Sequence, residues 1–187
     1  MQTIEQSIEV DVPVSTVYNQ WTQFEEFPEF MEGVEQVQQI DDRKLHWVCN
    51  VAGHRHEWDA EIYEQVPDQR IAWRSISGTQ NEGMVRFEGL PGNRTRVQVH
   101  LRYEPSGAAE KVGTALGLAS ARVKGDLKRF KEFIESHGTA TGAWRGEIHG
   151  GETSQEARTA ARSKRLFGEQ SGSISASGTS DSGMGNQ

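Results

Sequence analysis

The sequence predicts an α+β fold in which one curved antiparallel sheet is covered by a long helix. Three observations predict it. Seven strand-like runs can be read, and the last six follow one another with only short turn signals between them. Two short helical stretches separate the first run from the rest, and a stretch at residues 108–137 repeats apolar side chains at helical spacing. Sequential hairpins make an antiparallel meander, and a sheet with one apolar face needs a cover, which the long helix supplies.

In "TIEQSIEVDV" the residues Ile4, Ile8, Val10 and Val12 share one parity and Thr3, Glu5, Ser7, Glu9 and Asp11 the other, the pattern of a half-buried strand. Pro13 ends it. "PVSTVYNQWTQFEEFPEFM" then spaces Val14, Val17, Trp21 and Phe24 three to four apart, and Pro28 divides it into two short helices. Strands are expected at about 34–41, 44–51, 54–66, 69–77, 83–90 and 94–104, joined by turns such as "IDDRK", "VPDQ" and "LPGNR". From Ala108 to His137 the residues Val112, Leu116, Ala119, Val123, Leu127, Phe130 and Ile134 mark one helical face, and Gly138 is a stop signal. Residues 138–187 read as a flexible tail: they hold ten of the 20 glycines, with a short basic helix expected at 154–167 behind the capping-box pair Thr153 and Glu156.

Composition excludes several classes. No run approaches the roughly 20 apolar residues of a membrane helix, and the N-terminus lacks a secretory pattern, so a soluble cytoplasmic protein is expected. Cys49 is the single cysteine, which rules out a disulfide framework and CxxC chemistry. The net charge of -7 falls on residues 1–137, and such a surface repels phosphate backbones, so nucleic acid is not an expected partner. There is no GxSxG, no HExxH and no GxxxxGK[ST].

With "VPVSTVYNQWTQFEEFPEFM", "GHRHEWDAEIYEQVPDQRIAWRS" and "ARVKGDLKRFKEFIES" in their places, residues 1–137 resemble the START-like helix-grip superfamily. More closely, they look like its bacterial polyketide cyclase/dehydrase branch, which also contains the coenzyme Q-binding proteins. The resemblance implies a seven-stranded antiparallel sheet gripping the C-terminal helix around a cavity for lipids, isoprenoids, polyketides or other apolar ligands. It does not choose among the functions that the superfamily hosts.

Alternation sends Trp47, Cys49, Trp58, Ile62, Ile71 and Trp73 inward, together with Val85, Phe87, Val97, Val99, Leu101 and Tyr103. The expected ligand wall is Trp47, Trp58, Ile62, Trp73, Phe87, Leu101 and Tyr103, with Phe27 and Phe30 at the mouth. On the helix, Gly113, Gly117 and Ala121 leave room that larger residues would fill, with Leu116 expected against the ligand; glycine inside a helix costs about 0.5–1 kcal/mol relative to alanine, and room for a ligand or close helix–sheet approach are the two reasons it can have here. The row Glu57, Asp59, Glu61 falls on the solvated face. His54 and His56 share a face at metal-ligand spacing, but His46 and His100 have outward parity, so no third ligand is supplied and the pair is expected at a wet cavity rim with no metal.

Two functions remain from this reading. The first is binding or carriage of a small hydrophobic ligand without chemistry, needing no cofactor, by a monomer or homodimer. The alternative is an aromatase/cyclase-dehydratase, in which His54, His56 or Tyr103 would serve as acid or base while the cavity folds the chain. A docking role would fall to Phe27, Phe30 and Met31, or to the basic segment Arg158–Phe167, whose small net charge permits at best weak contact with a membrane surface.

Overall fold

The computed structural model describes residues 1–51, 53–104 and 112–168. β1 (Gln2–Val10) leads into α1 (Val14–Trp21) and a 3₁₀ turn at Phe24–Glu29 that contains Pro28. Six strands follow: β2 (Val34–Gln39), β3 (Lys44–Val51), β4 (His54–Val66), β5 (Arg70–Gly78), β6 (Asn81–Leu90) and β7 (Arg94–Tyr103). α2 spans Val112–His137, and the expected helix start at Ala108 lies outside the described residues. The sheet order is β1-β7-β6-β5-β4-β3-β2, with each of these neighbours antiparallel. The two helical pieces after β1 therefore carry the chain from one sheet edge to the other.

Both edges hold α2, which is what makes the fold a helix-grip. On the β1 side the Gln6 amide donates to Ser120 Oγ at 2.9 Å, Lys131 Nζ donates to the Glu9 carbonyl at 2.8 Å, and the Asp11 N–H donates to Glu135 at 2.8 Å. On the far side Arg129 Nε donates to the Phe30 carbonyl at 3.0 Å and the Glu32 N–H donates to Asp126 at 2.8 Å. Between these lines Leu127, Phe130 and Ile134 are buried in a core shared with Val10, Phe87 and Val97. Trp21 and Phe30 meet Phe130 edge-on, at 4.9 and 5.1 Å between ring centres. Each such ring or branched side chain contributes about 1.5–3 kcal/mol through burial.

Two irregularities in β4 set what faces inward. The register between β4 and β5 shifts at Asp59/Ala60 and again at Ile62/Glu64. The second shift places Gln65 opposite Ile71, on the core side, where strict alternation from His54 would put it outward. Gln65 is buried, and its amide donates to the Tyr18 hydroxyl at 2.9 Å. The outer face carries cross-strand ion pairs such as Arg70–Glu64 (2.6 Å), Arg74–Glu61 (3.1 Å) and Arg96–Glu9 (2.9 Å). Each exposed pair adds at most about 1 kcal/mol, so this face serves solubility more than stability.

The chain stays on the domain after α2. The Thr141 N–H donates to Gln20 Oε1 at 2.9 Å, the Trp144 N–H to Thr22 Oγ1 at 3.0 Å, and Arg145 forks onto the Asp68 carboxylate at 3.1 and 2.7 Å. β8 (Ile148–His149) then pairs with β4 at Glu64 and Gln65, beyond the point where β3 stops at Glu61, and β9 (Glu152–Thr153) folds back on it. Ile148 is fully buried. The compact unit therefore runs from Met1 to Ser154, where the sequence placed its edge at residue 137, and among the described residues the sheet counts nine strands where seven were expected. α3 (Ser154–Gly168) opens the second unit. No helix among the described residues is long and apolar enough to cross a membrane.

Candidate functional site

The hydrogen bonds along β1 fix how α2 lies: positions 120 to 135 run alongside Gln6 to Asp11. Continued backward, the first turns of α2 pass the end of the sheet that holds Ile4, Leu101, Gly83 and Trp73 in one row and Gln2, Tyr103 and Asn81 in the next. Under the second half of the helix the inner face is closed. Under the first half it is half-open: Trp47, Trp58, Trp73, Leu101 and Tyr103 are each only partly buried.

This divides the expected ligand wall in two. Phe27, Phe30, Ile62 and Phe87 are buried in the packed core, where Phe27 contacts Trp21, Phe24, Phe30 and Trp47. Trp47, Trp58, Trp73, Leu101 and Tyr103 form the half-open floor. On α2, Leu116 is partly buried and Gly117 exposed, with nothing within 4 Å of where its Cβ would be. The surroundings of Gly113 lie outside the described residues.

Two glycines shape the floor. Gly83 pairs with Trp73, and the indole occupies the space that any side chain there would need. Gly78 pairs with Trp58 at φ +72°, where any Cβ would collide with the Glu57 carbonyl. On its other side Trp58 stacks on Trp47, at 5.6 Å between centres and 5° between planes. Among the described residues the Trp47 indole N–H is the one buried side-chain polar group that has no hydrogen-bond partner.

Polar groups edge the floor. Tyr103 donates its hydroxyl proton to Gln2 Oε1 at 3.0 Å, and burial raises its pKa. The Asn81 N–H donates to Ser75 Oγ at 3.1 Å. His56 is half-buried beside Cys49, whereas His54 is exposed at the end of the β3–β4 hairpin. β5 and β6 lie between His56 on β4 and Tyr103 on β7, so the three residues named as alternative acids or bases are not gathered at one point. His46 and His100 face outward, bonded to Asp59 at 2.7 Å and Glu5 at 3.2 Å. Among the described residues no group of three or more His, Cys, Asp or Glu could hold a metal ion. Burial pushes the Cys49 thiol up to about 12, away from nucleophilic use.

A separate surface pit of about 170 Å³, lined by Pro28, Glu29, Phe30, Met31, Glu32 and Arg129, lies beside the 3₁₀ turn. It is smaller than the roughly 300 Å³ at which ligand pockets begin. The half-open floor is the stronger candidate.

The family described as polyketide cyclase / dehydrase and lipid transport matches residues 10–132. The chain belongs to that family. A protein of similar sequence is an uncharacterized 17.2 kDa protein from the melC2-rnhH intergenic region of Streptomyces lincolnensis, 50% identical over 149 residues, which is 79% of this chain and 99% of that protein. Among solved structures, a START superfamily protein of Mycobacterium smegmatis superposes with a TM-score of 0.63 at 14% identity, covering 72% of this chain and 98% of its own. The Zhui aromatase/cyclase of Streptomyces sp. R1128 does so with 0.61 at 16% identity, covering 76% and 99%. At such identities the two structures share the helix-grip fold with this polyketide cyclase/dehydrase and lipid transport family member, and nothing finer follows from them.

Proposed function

We propose that the domain binds and carries a small hydrophobic ligand, of lipid, isoprenoid, quinone or polyketide-like chemistry, between the sheet and the first half of α2, and does not alter it. The observation that carries this reading is the contrast along the inner face. A packed core needs no second aromatic surface, yet Trp47, Trp58, Trp73, Leu101 and Tyr103 remain partly open beyond it. Covering such a floor with apolar ligand surface releases about 25 cal/mol per Å². The family's description, which names lipid transport beside cyclase and dehydrase, supports the same reading.

The description equally names a chemical activity, and in that second reading His56 and Tyr103 would act as acid or base on a polyketide-like substrate. Native mass spectrometry of protein purified from cells, followed by titration with quinones, fatty acids and isoprenoids read by tryptophan fluorescence, separates the two. Ligand recovered unchanged and saturable quenching are expected. Turnover of a poly-β-keto substrate would replace carriage by cyclisation, and protein that takes up none of these molecules would refute both.

A further inference from the structure

Trp47 sits where the closed core meets the half-open floor. Two of its neighbours are rings, the buried Phe27 at 5.7 Å between centres and the partly buried Trp58. Neither offers an acceptor, and the indole N–H is left buried and unpaired. More than nine in ten buried polar groups are paired, and leaving one unpaired costs on the order of 1–3 kcal/mol. An indole nitrogen can only donate, so the missing partner is an acceptor.

The same place borders the half-open floor. Trp58 stacks on Trp47 and is itself only partly buried, and its partner in register on β5 is Gly78. A flat molecule bound beside this stack would pair the indole N–H only by bringing an acceptor atom to it. A hydrocarbon edge would leave the donor as it was. A ketone or quinone oxygen would pair it.

We propose that the Trp47 indole N–H is a specificity-determining donor that receives a carbonyl oxygen of the bound ligand, so that the site prefers oxygenated ring compounds to hydrocarbons of the same shape. This rests on the ligand-binding reading above and adds to it the polar group that the ligand must carry. Trp47 positions and selects; no bond is made or broken.

The test is a two-by-two comparison on the full chain, with 1-tetralone and tetralin as probes and the native protein and Trp47→Phe as hosts, affinities being measured by calorimetry. Removing the N–H while keeping a ring is expected to lower the ketone-to-hydrocarbon affinity ratio about fivefold or more, the value of one ordinary hydrogen bond, with the loss falling on the ketone. Two bound probes whose ratio does not move on substitution would overturn the inference and leave the binding reading standing. Binding of neither probe to native protein would overturn both. If Trp47→Phe does not fold, the indole proton of Trp47 is followed by NMR in native protein, assigned through its own side-chain couplings. It should move downfield with 1-tetralone and not with tetralin, whereas a resonance that contacts only trapped water and ignores the ketone refutes the proposal.

Discussion

Tyr18 and Cys49 are the two side chains whose acidity the fold changes most openly, and for the same reason. Both are buried, so the charged form is the costly one: Tyr18 moves from 10.0 to about 12, eased slightly by the Gln65 amide and the Arg145 guanidinium 5.5 Å from its ring, and Cys49 from 9.0 to about 12. A group whose folded pKa lies above its unfolded value adds stability that is complete below the unfolded value and is lost as pH rises through the folded one. Stability should therefore be flat through neutral pH with respect to these two groups and fall between about pH 9 and 12, checked by denaturant midpoints across that range. Iodoacetamide at pH 8 should label Cys49 only after unfolding; fast labelling of folded protein would show the thiol to be open. Gly83 provides a steric counterpart. Gly83→Ala must displace the Trp73 indole and is expected to cost about 1–3 kcal/mol, with a shift in tryptophan emission as the ring moves.

At the scale of elements, α2 has two halves with different work. Its second half fills the sheet's concavity: Phe130→Ala should cost about 3–5 kcal/mol, in line with removal of a fully buried ring that touches Trp21 and Phe30. Its first half leaves the floor partly open, and Gly117→Leu, where nothing lies within 4 Å, should change stability little while weakening ligand uptake if the added side chain fills the ligand's space. A fluorescence titration beside a thermal melt distinguishes these outcomes. The meander from β2 to β7 and the inward parity of Trp47, Trp58 and Trp73 were legible because alternation has a period of two and turns carry their own residues, whereas the pairing of β1 with β7 joins segments far apart in sequence and no turn announces it. Gln65 was not, since a bulge at Tyr63 reverses parity and no local residue announces it. Nor could alternation divide its inward residues into core and open floor. Phe87 and Trp73 share a face, and alternation does not show that Tyr18 and Trp21 of α1 pack edge-on against the first.

For the molecule as a whole, the point at issue is where the folding unit ends. A helix-grip domain could close at His137, where glycine ends α2, and the glycine-rich composition beyond suggests as much from sequence. The physical arrangement differs because residues 138–154 cover a part of β4 that β3 does not reach, and an uncovered strand edge is a liability. Trp144 packs against the core and Ile148 is fully buried. Chains truncated after Ser154 and after His137 should therefore behave differently. The first should unfold like the full chain. The second loses those two apolar side chains, each contributing about 1.5–3 kcal/mol, and also uncovers Gln20, whose amide and carbonyl both bond Thr141, and Gln65, whose backbone pairs with Ile148. At about 2–4 °C per kcal/mol for a domain of this size, a fall in melting temperature of roughly 10 °C is expected. Limited proteolysis tests the same boundary on the intact chain: a resistant fragment should end near Ser154, and one that ends near His137 would show that residues 138–154 open while the rest of the unit stays folded.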